Sequence, residues 1–340
     1  MDRVAGSSPE DRADLFNETG AKIRLTPELV EKDFWVCWCL GKLFVPKLAD
    51  LGLLFKGGTS LSKVFNAIVR FSQDIDLSID RAKLGFADKK DPLNMESKNQ
   101  RRKVLPLLEE AMQAGVRDTL LPVVQADFTN VLKPRGEAWK LDLRIVGSET
   151  EIAFQYPAAI RASSGSFRPE VLMQFGARSG RYPTLEGCVS PYAAQSFPEQ
   201  FQTRFSIVPT LGIERTVWEK IVLVHGLRLK AMPKVESMSR HYSDLASLAE
   251  REDCQRAVDD DDMLKSTVEY QHRLYEVSNA ACESMKRGSF RLEPDGELLK
   301  ALEADYNKHA DIYFGQVAPF DEIMRKVKLL EDRVNRASAA

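Results

Sequence analysis

Residues 53–80 read LLFKGGTSLSKVFNAIVRFSQDIDLSID, and how this stretch is parsed decides the fold. Its end alternates polar and apolar residues. A strand there puts Asp74, Asp76 and Ser78 on one face and Ile75, Leu77 and Ile79 on the other. Two carboxylates that close repel each other unless a cation neutralises them, and hard oxygen donors suit Mg²⁺ or Mn²⁺. Upstream, the apolar run Leu53-Leu54-Phe55 stops at Lys56-Gly57-Gly58. Leu61, Val64, Phe65 and Ile68 then recur at helical spacing. The stretch therefore predicts strand, glycine turn, helix, strand. Such a turn lets a ligand approach the backbone, and the start of a helix favours phosphate. Thr59 and Ser60 either cap the helix or donate to the ligand.

Neither piece is specific alone, since GG before a helix is common punctuation and DxD often marks an exposed strand face. Their joint order resembles the nucleotidyltransferase superfamily related to DNA polymerase beta. There the Gly-Gly/Ser turn holds the triphosphate and the carboxylate pair binds two metals. One departure is the fifteen residues between Gly58 and Asp74, which call for a longer helix or a longer loop after it.

Working outward, the chain of 340 residues is long enough for two domains. With 44% hydrophobic and 29% charged residues it has the composition of a globular protein, with no sign of disorder. A formal net charge of −2 gives no global attraction to nucleic acid, so RNA contacts would rest on local patches. Arg101-Arg102-Lys103 is one such patch, or simply a solvated helix face. No secretory leader and no membrane-spanning run is recognisable, which points to the cytoplasm. Five scattered cysteines suggest buried small hydrophobes, with neither a disulfide partner nor a zinc site.

Residues 1–24 are polar and are expected as a loose leader with one short helix near Pro9 to Asn17. From Thr26, a candidate N-cap followed by Pro27, an amphipathic helix carries Trp35 and Trp38, expected as core. After a charged loop, Lys98 to Gly115 is expected as a helix kinked at Pro106, exposing Arg101, Arg102 and Lys103 and burying Val104, Leu107, Leu108 and Met112. Leu121 to Leu132, Ala138 to Val146 and Val171 to Phe175 are expected as strands. The second of these puts Lys140, Asp142 and Arg144 on one face, so Asp142 is a candidate third metal ligand or a member of a surface charge pair. Two arginines, Arg178 and Arg181, lie in a turn-rich segment and suit phosphate. Beyond Gly212 the pattern is helical: Val217, Ile221 and Val224 mark one helix presenting Glu219 and Lys220, and Arg240 and Asp244 lie at i and i+4 on the next. The expected architecture is α/β (α+β), with a polymerase-beta-like core of mixed sheet over 25–210 and a mainly helical domain over 211–340.

Six segments together sharpen the resemblance: Glu31-Lys32-Asp33-Phe34-Trp35-Val36, Lys56-Gly57-Gly58-Thr59, Phe71 to Leu77, Phe175-Gly176-Ala177-Arg178, Arg215 to Lys220 and Arg240 to Leu245. With Leu302 to Tyr306 and Phe314-Gly315, they look like the AbiEii/AbiGii (MenT-like) nucleotidyltransferase toxins. That resemblance implies the toxin of a bacterial type IV or related toxin–antitoxin or phage-defence system, with a cognate antitoxin. It also implies transfer of a nucleotide from an NTP to RNA, notably the 3′ acceptor end of tRNA, which blocks translation. The motif positions implied as catalytic are Asp74, Asp76, Lys220 and Asp244. Lys56, Gly57, Gly58, Thr59, Ser60, Ser72 and Arg178 are implied at the nucleotide, and Asp74, Asp76 and Asp142 at Mg²⁺ or Mn²⁺. Chemically, Lys220 would supply a cation to the phosphates, and Asp244 would either accept a proton from an RNA hydroxyl or orient Lys220. The other readings are a nucleotidyltransferase acting on a small molecule or a protein, and a non-catalytic NTP-binding regulator.

Overall fold

The computed structural model describes residues 1–133, 136, 138–161, 168–230, 233–313 and 317–336. Two compact units emerge: Met1–Val64 with Ser72–Ser179 and Leu185–Thr210, and Phe65–Phe71 with Gly180–Thr184 and Leu211–Ala340.

The first unit is built on a mixed seven-stranded sheet: β1 (Leu54–Lys56), β2 (Ile75–Ser78), β3 (Lys140–Val146), β4 (Glu149–Gln155), β5 (Glu170–Gly176), β6 (Thr184–Val189) and β7 (Ser206–Leu211). Their order is β3-β4-β5-β2-β1-β7-β6. Both strands of the opening stretch therefore lie inside the sheet. β2 runs antiparallel to β1 and parallel to β5, with Asp76 opposite Lys56 on one side and Gln174 on the other. Gln174 in turn faces Glu151, and Glu151 faces Arg144, so one polar row crosses five strands. The alternate residues Ile75, Leu77, Ile152, Phe154, Met173 and Phe175 are buried. Period-two alternation thus gives this sheet one packed face and one polar face.

Helices α1 (Asp2–Ala5), α2 (Pro9–Ile23), α3 (Pro27–Leu43), α4 (Gly57–Lys63), α5 (Lys98–Ala114), α6 (Leu121–Leu132) and α7 (Tyr192–Ser196) complete this unit. α3 is buried nearly all round. Its Trp35 and Trp38 pack with Phe128 and Phe154, with ring centroids 5.7 Å apart for Trp35–Phe154 and 4.4 Å for Trp38–Phe128. Both tryptophans are core, as expected, and truncating an aromatic side chain so placed costs about 3–5 kcal/mol.

Several expectations need correction. The first 24 residues are not loose, because α1 and α2 bury Met1, Val4, Ala5 and Phe16. Ser8 caps α2 by accepting from the Asp11 amide at 3.1 Å. Leu121–Leu132 is the helix α6 and not a strand. Val124, Phe128 and Leu132 all face inward at steps of four, a period that the valines of the segment disguise. α5 continues through Pro106 unbroken, and a π-helical turn, Gly115–Leu120, joins it to α6. On α5, Arg101 points inward and donates to the Met95 and Glu96 carbonyls at 2.6 and 2.9 Å, while Leu107 is exposed. The helix after the glycine turn stops at Lys63, so the extra length before Asp74 is loop.

The second unit is mainly helical: α8 (Ile213–Arg228), α9 (Ser239–Ala249), α10 (Glu252–Val258), α11 (Asp261–Leu274), α12 (Asn279–Ser284), α13 (Gly296–Lys308) and α14 (Phe320–Asn335). Val217, Ile221 and Val224 of α8 are fully buried, as their spacing predicts. No helix among the described residues is long and apolar enough to cross a membrane.

Candidate active site

In the first unit the glycine turn and the carboxylate strand are in direct contact. Gly57 has φ of +79°, and a Cβ built there would collide with the Asp76 carboxylate, so glycine is required twice over. Thr59 is buried, and its hydroxyl makes hydrogen bonds with the Asp74 carbonyl and, at 2.9 Å, with Ser72 Oγ. Ser60 donates to the Gly57 carbonyl at 2.8 Å. The Thr59 hydroxyl clamps the turn to the segment that leads into the strand, and Ser60 braces the turn itself. Asp74 and Asp76 themselves stay half-buried.

The sequence singles out Glu31-Lys32-Asp33 only as part of a resemblance. In the structure these three successive charges, all buried on α3, reach in three directions. Glu31 accepts from the Ala159 and Ile160 amides at 2.8 and 3.0 Å, fixing the chain after β4. Asp33 pairs with Lys63 of α4 at 2.5 Å and accepts from the Tyr192 amide at 2.7 Å. Lys32 Nζ donates to Gln73 Oε1 at 2.5 Å and to the Arg168 carbonyl at 3.4 Å. Burial pulls the Lys32 ammonium down to about 8, opposed by the charges of Asp74 and Glu170. Three consecutive charges inside an otherwise apolar helix are the available signal, because buried charges need specific partners.

Two candidates are held elsewhere in this unit. Arg178 is paired with Glu109 of α5. Asp142 lies on β3, with β4 and β5 between it and β2, and pairs with Lys140 at 2.5 Å and Arg144 at 3.9 Å. Among the described residues, no group of three or more His, Cys, Asp or Glu is placed to hold a metal. Asp74 and Asp76 alone still make a fitting donor pair. Mg²⁺ keeps several waters and is usually bound through one or two carboxylates plus substrate phosphates.

In the second unit Lys220 and Asp244 do meet, and a partner that the sequence does not flag joins them. Arg70 donates to both Asp244 oxygens, Nε at 2.7 Å and Nη2 at 2.8 Å, and Lys220 Nζ lies 2.8 Å from Oδ2. His241 Nδ1 is 3.4 Å from Lys220 Nζ. Asp244 is fully buried. Burial alone would raise its carboxyl, but the Arg70 guanidinium and the Lys220 ammonium overcome it and hold the group well below the usual carboxylate range. Burial lowers Lys220, against the pull of Asp244. The expected i, i+4 partner Arg240 is not the residue that grips Asp244. Phe314-Gly315 of the resemblance lies outside the described residues.

A strand–glycine-turn–helix–DxD arrangement of this kind defines a nucleotidyltransferase. Residues 39–326 match the family "Nucleotidyl transferase AbiEii toxin, Type IV TA system". The chain belongs to that family: it is a nucleotidyltransferase toxin of a type IV toxin–antitoxin system, whose class implies a nucleotide substrate and an antitoxin. Among solved structures it is similar to MenT4, a nucleotidyltransferase toxin from Mycobacterium tuberculosis H37Rv. The identity is 14% and the TM-score 0.49, over 96% of this chain and 90% of that one. No curated protein matches by sequence.

Proposed function

We propose that the chain moves a nucleoside monophosphate from an NTP to RNA, at the 3′ acceptor end of tRNA, and so blocks translation in the cytoplasm as a toxin or phage-defence effector. The observation that supports this most is the Asp76 carboxylate packed against Gly57, which joins the acidic strand to the glycine turn in one site. In this reading Asp74 and Asp76 hold Mg²⁺ or Mn²⁺. When bound, the ion neutralises charge that develops on the phosphates as pyrophosphate departs.

The chain's own residues do the rest. Lys56, Gly57 and Gly58 shape the phosphate pocket, while Thr59, Ser60 and Ser72 hold its backbone. Arg178 must exchange Glu109 for a phosphate to take part. Lys220 supplies a cation to the triphosphate. Both oxygens of Asp244 are engaged by cations and its basicity is low, which favours orienting Lys220 over accepting a proton.

Purified protein incubated with labelled NTPs, Mg²⁺ and total cellular RNA tests the proposal. Label in tRNA is the expected result. Label in a small molecule or protein would redirect the acceptor, and no label anywhere would leave a nucleotide-binding regulator.

A further inference from the structure

Lys220 is held at two points. From α8 it reaches α9, where His241 and Asp244, at i and i+3, share one helical face. Its ammonium lies 2.8 Å from Asp244 Oδ2 and 3.4 Å from His241 Nδ1. The Asp244 oxygen is shared, because Arg70 Nη2 donates to the same atom at 2.8 Å. One shared oxygen fixes where the ammonium sits but leaves it free to turn about that contact. A second acceptor fixes its direction.

An ammonium carries three donors and no acceptor, so its contact with His241 requires an unprotonated Nδ1 and puts the imidazole proton on Nε2. The surroundings of the ring suit that state. Burial opposes a positive imidazole, and Lys220 from α8, Arg240 beside it on α9 and Arg70 from Phe65–Phe71 oppose it too. Against the pull of Asp244, they hold the ring well below the usual histidine range.

Neutrality also matters for charge. Arg70 and Lys220 bring two positive charges against the one negative charge of Asp244, so the triad keeps a surplus to offer an anion. A carboxylate in place of the imidazole would cancel that surplus, and a further cation would push Lys220 aside. We propose that His241 is a positioning residue: as a neutral Nδ1 acceptor it works with Asp244 to set the direction of the Lys220 ammonium, leaving its charge uncancelled and its remaining N–H for the triphosphate. This rests on the reading of Lys220 as the cation at the triphosphate given above.

The test is a titration of the full chain, in Mg²⁺, with NTP analogues whose α,β bond cannot be cleaved. His241→Ala should weaken binding roughly three- to tenfold, the effect of losing one hydrogen bond. His241→Asn, whose side-chain oxygen can stand in for Nδ1, should restore it to within about twofold. In a Lys220→Ala background His241→Ala should cost nothing more, because the group it positions is gone. Parent-like binding by His241→Ala, no rescue by His241→Asn, or an equal loss with Lys220 already removed would each overturn the role of His241. Should His241→Ala fail to fold, nitrogen NMR of the histidine-labelled parent at neutral pH decides. A bare Nδ1 with the proton on Nε2 supports the proposal, and a protonated Nδ1 on His241 overturns it. Unchanged binding by Lys220→Ala alone is a separate failure, that of the reading of Lys220 itself.

Discussion

Asp76 and Asp244 are the same side chain in opposite settings. Asp76 is half-buried, on a sheet face where its neighbours are a lysine, an amide and another aspartate, and among the described residues no cation grips it in a fork. Asp244 is fully buried and bound by a bidentate arginine and a lysine. A carboxylate of the first kind is open to exchange partners with an incoming ion. One of the second kind is committed, because its neutralisation is internal and its removal strands two buried cations. The difference separates residues that bind from residues that hold a binder in place.

The sharpest way to break this comparison is to remove each carboxylate and measure stability. Asp244→Ala should destabilise its unit by about 3–5 kcal/mol, because Arg70 and Lys220 would stay buried without their counter-ion. Urea unfolding checks this, and a loss below about 1 kcal/mol would mean that the triad is not what holds α8, α9 and Arg70 together. Asp76→Ala should instead leave stability within about 0.5–1 kcal/mol, since it relieves a like-charge repulsion, whereas Asp74→Ala should cost more than Asp76→Ala because it takes a favourable charge from the buried Lys32. Transfer of labelled nucleotide should vanish in both, and any growth inhibition with it. Retained transfer in a folded variant of either would sink the metal assignment.

The active-site half of this comparison is legible in the sequence. The order strand, glycine turn, helix, DxD strand needs only local periodicity and turn chemistry, and it survives in β1, α4 and β2, although α4 ends at Lys63 and leaves Val64, Phe65 and Ile68 of the expected helical spacing outside it. What the sequence conceals is long-range. Lys32 lies forty-one residues from Gln73 and Arg70 lies 174 from Asp244, so no local pattern links either pair. Strands β4, β6 and β7 are equally hard to read locally. β4, for example, is an ordinary polar–apolar mixture until its pairing with β3 and β5 fixes which residues turn inward. The reverse error, a strand expected at α6, comes from weighing valine content over spacing.

Lys220 sits between the two extremes, since it belongs to the committed cluster yet is proposed to serve a ligand. Lys220→Ala should weaken NTP binding by roughly ten- to a hundredfold, the loss of a charge-assisted contact of about 1.5–3 kcal/mol. Its effect on stability should be smaller than that of Asp244→Ala, because Asp244 keeps Arg70. Lys220→Arg should rescue only in part, a planar fork replacing a compact ammonium beside a guanidinium already in place. NTP titration of the folded variants decides it. Unchanged binding together with unchanged turnover would make Lys220 purely a counter-ion of Asp244.

The smallest effect is expected at Asp142, and it tests whether exposure and distance from β2 matter as argued. Its carboxylate is a quarter exposed, at 26%, and its partner Lys140 is mostly exposed at 62%. A pair so open to solvent contributes in the range of about 0.2–1 kcal/mol. Asp142→Ala should therefore shift stability by no more than that, and the shift should shrink further as salt screens Lys140 and Arg144. Transfer rate and the number of bound Mn²⁺ ions should match the parent. A loss of transfer with the fold intact would bring β3 into the chemistry after all.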